Sequence, residues 1–140
     1  MVKIIVLSEY STSPPEQLGF GRLKISGGSL YDLAQVQKLV ADPDCIKLAT
    51  RACIKDVHAL FGSDLECVAD LIQALGAADY RDSEWCESGA AGVMACDAYQ
   101  IRRIEQLADQ PKSVTVEYFL KFAVGKTGQL LLLVSCHLSK

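Results

Sequence analysis

From Val114 to Val124 every second residue is apolar or aromatic: Val114, Val116, Tyr118, Leu120, Phe122 and Val124. The even positions from Leu130 to Leu138 repeat the pattern as Leu130, Leu132, Val134, Cys136 and Leu138. Side chains of a strand point alternately to its two faces, so the pattern predicts two strands that turn their even residues to one core. Gly125-Lys126-Thr127-Gly128 between them supplies the turn of an antiparallel hairpin. Matching the two core faces requires paired residue numbers with an even sum. A sum near 256 sets His137 opposite Phe119 and Ser135 opposite Lys121. The odd face then carries Glu117, Phe119, Lys121, Ser135 and His137, a wet surface with an aromatic ring, a cation and an imidazole.

Upstream the period changes to that of helices. Leu33, Val36 and Val40 recur at helical spacing until Asp42-Pro43-Asp44 stops the run. Thr50 caps a second helix with Cys53, Ile54, Val57, Leu60 and Phe61 on one face and Gly62 as terminator. Ser63-x-x-Glu66 reads as a capping box for a third, whose stripe is Leu65, Val68, Ala69, Ile72 and Leu75, closed by Gly76. Residues 1–28 form an N-terminal, strand-rich extension. Met1 to Leu7 reads as a short strand, and a Pro14-Pro15 turn and the glycines that follow limit the segment to one or two edge strands. The expected class is α+β, with three helices within 29–76 packed on a mainly antiparallel sheet in 80–138, so that 29–140 forms one domain.

Composition changes this picture little. With 140 residues, half of them apolar, the chain suits one domain with a sizeable core. No apolar run approaches the roughly 18 residues of a membrane span, and no membrane partner is expected. Six cysteines lack both C-x-x-C spacing and the density of a disulfide framework, so reduced thiols in a cytoplasmic protein are the expectation. Neither a metal nor another cofactor is expected, since no short pair of ligands occurs and only two histidines are present. A net charge of −3 argues against a broad nucleic-acid surface and leaves room for a local basic groove.

Several groups carry candidate chemistry. Lys121 is either a solvated or gatekeeping strand lysine or a phosphate contact. His137 is either a partly exposed spectator or a proton-transfer group, since histidine changes charge near neutral pH. His58 lies among helical residues and reads as structural or solvated. Tyr80, Arg81, Trp85, Tyr99 and Tyr118 either pack at the core and its rim or stack on bases. Ser135-Cys136-His137 is no nucleophile pair, because adjacent strand residues face opposite ways.

Four blocks in order, Asp79-Tyr80-Arg81-Asp82-Ser83, Ala95-Cys96-Asp97-Ala98-Tyr99, Phe119-Leu120-Lys121 and Val134-Ser135-Cys136-His137, follow the third helix. From about Tyr31 onward the chain resembles the MqsR (motility quorum-sensing regulator) family, toxins of the RelE-like fold. The resemblance implies a metal-independent endoribonuclease of a type II toxin–antitoxin system, acting on single-stranded mRNA and inhibited by a cognate antitoxin. Such chemistry needs a base for a ribose 2′-OH, an acid for the leaving oxygen and a cation for the phosphorane. On this resemblance His137, Lys121 and Arg81 are the catalytic candidates, and Tyr80, Tyr99, Phe119 and Ser135 the RNA-binding ones. Asp97, Tyr99, Lys121 and Ser135 match the family pattern. Asp82 stands at a functional lysine, Cys96 at a glutamine, Phe119 at a tyrosine and His137 at a lysine. The alternative is a non-catalytic relative that keeps the scaffold for protein or RNA binding.

Overall fold

The computed structural model describes residues 3–89, 92–106 and 111–139. Met1 and Val2, read as the start of the first strand, lie outside the described residues. Seven strands, β1 (Ile5–Val6), β2 (Leu23–Ile25), β3 (Ile46–Leu48), β4 (Tyr80–Ser88), β5 (Gly92–Gln106), β6 (Ser113–Val124) and β7 (Leu131–Leu138), form one sheet. The order is β2-β4-β5-β6-β7-β3, with β1 added parallel to the start of β5. The β2–β4–β5–β6–β7 pairings are antiparallel and β3 joins β7 in parallel. The fold is α+β, as the periodicities imply. The parallel edge strand Ile46–Leu48 escaped the sequence reading because three residues are too few to show a period. Among the described residues, no helix is long and apolar enough to cross a membrane.

Three helices follow from local chemistry. Helix α1 (Leu33–Leu39) starts at Asp32, whose side chain accepts from Ala34 N. Helix α2 (Arg51–Phe61) starts at Thr50, which accepts from Cys53 N and donates to Val134 O, and ends in left-handed Gly62. Helix α3 (Leu65–Gln73) differs from expectation at both ends. Asp64, not Ser63, is its cap, accepting from Glu66 N, because Ser63 lies at positive φ and its hydroxyl meets His58. Ala74 closes it, while Gly76 is already extended.

The helices cover the sheet face that carries Leu120, Phe122 and Cys136. At its centre Tyr99 stacks on Phe122, centroids 5.4 Å apart and planes 5° apart. The N-terminal extension covers the rest of that face, where Ile4, Val6, Tyr10, Phe20 and Ile25 pack on Trp85, Val93 and Ala95. Asp97 pins the join: its buried carboxylate accepts from Leu30 N, Tyr31 N and the Ser83 hydroxyl. Burial raises its carboxyl above the usual range against those hydrogen bonds.

The hairpin register agrees with the parity expectation in its outer half, where Phe119 pairs with His137 and Lys121 with Ser135. It then slips. Phe122 pairs with Leu133 and Val124 with Leu131, so Val134 is the extra residue of a bulge. Leu132 therefore faces with Ala123 rather than with Phe122. Leu120, Phe122, Leu132 and Val134 are nonetheless all buried in one cluster.

Candidate functional site

The opposite face of the sheet is concave. The Ser88 hydroxyl at the end of β4 donates to Ala49 O just beyond β3, at 2.9 Å, although three strands separate β4 from β3 in the sheet. This contact curls one end into a throat containing buried Met94, Cys96, Ala123 and Leu132. The other end opens to solvent and carries the predicted site residues.

At the boundary between throat and open end stands an ion pair. Lys121 Nζ lies 2.9 Å from Glu84 Oε2, both residues buried, and Lys24 from β2 reaches Glu84 Oε1 and Asp82 Oδ2 at 2.7 Å each. Burial acts to raise the Glu84 carboxyl, but the hydrogen bonds from Lys24 and Lys121, with their charges, outweigh it and hold the group below its usual range. Its contribution to stability is therefore present above about pH 4.5, the ordinary value, and is lost as pH falls through the lowered folded value. Glu84→Gln is expected to cost about 1–3 kcal/mol at neutral pH, because Lys121 loses a charged partner. Urea titrations from neutral pH down to pH 3 should show the variant's deficit shrinking on the acid side. A constant deficit would remove Glu84 from the acid response.

Beyond the pair, Lys121 Nζ sits 5.7 Å from the centre of the Phe119 ring, and Phe119 stacks on His137 with centroids 5.2 Å and planes 24° apart. His137 is exposed, with Nδ1 3.1 Å from Leu138 O. A carbonyl only accepts, so this contact places a proton on Nδ1 and leaves Nε2 as the acceptor on the neutral ring. Arg81 is the bulge residue of β4, opposite no residue of β5. Its Nε donates to Gln100 Oε1 at 3.0 Å, and Gln100 Nε2 donates to Glu117 Oε1 and Ser139 Oγ. Arg102 bonds Glu117 Oε2 at 2.7 Å. The open end is thus a linked polar rim around one aromatic–imidazole stack.

The structure brings Arg81, Phe119, Lys121, Ser135 and His137 to this face. Tyr80 and Tyr99 lie on the other. Tyr99 is 2 % exposed within the core, and Tyr80 packs edge-on against it with its hydroxyl bonded to Ser83. Neither ring reaches the concave face, because Tyr80 and Tyr99 pair across the β4–β5 ladder on the side that the helices cover. Trp85 and Tyr118 are likewise core residues. His58 sits at the exposed C-terminal end of α2.

Sequence reasoning missed Glu84, Gln100 and Cys86. A signal for Glu84 existed in the parity of β4, where it is an even residue between Asp82 and Cys86, but its partner is 37 positions away. Among the described residues no group of three His, Cys, Asp or Glu side chains is arranged to hold a metal ion. A separate cavity of about 440 Å³ lies between α1 and the β6–β7 turn, lined in part by Glu9, Tyr31, Gln35 and Lys38, and none of the predicted site residues reaches it. Comparison with known proteins finds no matching family model, curated protein or solved structure.

Proposed function

We propose that this chain is an MqsR-like domain of the RelE type, a toxin of a type II toxin–antitoxin system that takes single-stranded RNA on its concave face and cleaves it. His137 would act as the acid–base group and Arg81 would contact phosphate. The observation that supports this most is the pairing of Phe119 with His137 beside Arg81, which gathers stacking ring, imidazole and guanidinium on one open surface, with buried Lys121 and its partner Ser135 behind them. Phe119 and His137 offer a base a flat platform, and base–aromatic stacking is worth about 1–3 kcal/mol per base. A 2′-OH and its neighbouring phosphate belong to one substrate, so holding the strand in place supplies much of the rate.

One observation favours the second reading, a binding module without catalysis. The Lys121 ammonium is already neutralised by Glu84, which leaves less positive charge for a phosphorane. The two readings part in one experiment. Purified protein is incubated with a labelled single-stranded RNA in chelator. Product carrying a 2′,3′-cyclic phosphate supports the toxin reading, while saturable binding without cleavage supports the module. In either case Arg81→Ala should weaken binding and lower the salt slope by about one phosphate contact. Absence of any RNA binding would remove both RNA readings.

A further inference from the structure

Two thiols sit where the throat meets the ion pair. Cys86 pairs with Met94 and Cys96 with Glu84 across the β4–β5 ladder, so both cysteines are on the concave face, diagonal to one another on adjacent strands. Cys96 is fully buried and Cys86 is partly exposed. Lys121, Glu84 and Arg22 provide the charges that act on the Cys86 thiol. The structure therefore holds an accessible thiol, a shielded thiol as its neighbour, and a fixed ammonium beside both.

We propose that Cys86 and Cys96 form a thiol-oxidation site for hydroperoxides, with Cys86 attacking and Cys96 resolving. The Cys86 thiolate attacks the outer oxygen of a hydroperoxide; the O–O bond breaks, and the alkoxide leaves and is protonated by water. Cys86 becomes a sulfenic acid. The Cys96 sulfur then attacks the Cys86 sulfur, the S–O bond breaks, and the Cys96 proton leaves with the hydroxyl as water. In total two thiols are oxidised to one disulfide while one hydroperoxide is reduced to an alcohol and water.

Three partly exposed thiols are present, and their surroundings separate them. Burial and the Asp42 and Asp44 carboxylates raise Cys45, and burial and Asp64 raise Cys67. Cys86 is instead lowered, first by the hydrogen bond from the Cys96 thiol and then by Lys121, against burial and Glu84. The thiolate is the nucleophile, so Cys86 is the one the fold prepares. Diagonal neighbours in a sheet stand about 7–8 Å apart between Cα atoms, and a disulfide takes about 4.4–6.8 Å. Closure thus requires a small slide of β4 along β5, and such a bond is readily reduced again. The proposal is independent of what the concave face binds.

The test uses the reduced full chain and equimolar hydrogen peroxide. Both cysteines, and no other, lie in the tryptic peptide 82–102. That peptide is expected to lose two hydrogens, in the folded chain and faster than in the urea-unfolded one. Cys96→Ala should stop the reaction at a sulfenic acid that a dimedone probe captures on Cys86, and Cys86→Ser should leave the peptide reduced. Preferential oxidation of Cys45 or Cys67 with 82–102 intact, or equal rates folded and unfolded, would overturn the proposal.

Discussion

Phe122→Ala is expected to lower the free energy of unfolding by about 3–5 kcal/mol, the range for emptying the volume of a phenylalanine in a packed core. The ring is fully buried, stacked on Tyr99 and paired across the ladders with both Asp97 and Leu133. Its neighbours are held by hydrogen-bonded strands on either side, which limits how far the site can collapse around the gap. Urea unfolding measures the loss. Ile104→Ala, at a side chain 79 % exposed on the same strand pair, should stay within about 0.5 kcal/mol and serves as the control. A Phe122→Ala loss as small as the control's would mean the ring is not part of a close-packed core.

The second large effect concerns chemistry. On the proposed toxin reading, His137→Ala is expected to slow RNA cleavage by about 10²–10⁴-fold, the usual contribution of a positioned acid–base group. The geometry supports a specific division of labour within the ring. Nδ1 is occupied by Leu138 O and the stack on Phe119 fixes the ring plane, so on that reading Nε2 is the atom that would exchange a proton with substrate. His137→Gln keeps a flat polar group, and should therefore retain more RNA affinity than rate. Single-turnover cleavage and filter binding together separate the two quantities. Unchanged cleavage in His137→Ala would end its assignment as the acid–base group.

What could be read from the sequence had a local physical cause. Period-two alternation in 114–124 reports a strand with one wet face, and the Thr50 and Gly62 caps report the ends of a helix whatever surrounds it. The register of Phe119 with His137 followed from parity because that half of the hairpin is polar on one side only. Leu130 to Val134 is an unbroken apolar run, and parity fails there. The throat buries one face and the helices the other, so nothing in the run marks the bulge at Val134. The same double burial hides the fate of Tyr99, since a tyrosine on a central strand and one on a wet face look alike in sequence. Glu84 depended on curvature. Its meeting with Lys121 across β5 is a property of the folded sheet, not of any window of residues.

The placement of the N-terminal extension has a kinetic consequence. Leu7 N donates to Val93 O, Glu9 N donates to Val124 O and Lys126 N donates to Leu7 O, so this segment finds its partners far along the sequence. Closing so long a loop adds little to the equilibrium cost, about 0.6 kcal/mol for each doubling of length. Its effect falls on the rate, because contacts distant in sequence slow the search for the folded state. On a ribosome, Leu7 and Glu9 cannot complete these bonds until Val124 and Lys126 have emerged, long after the three helices have been made.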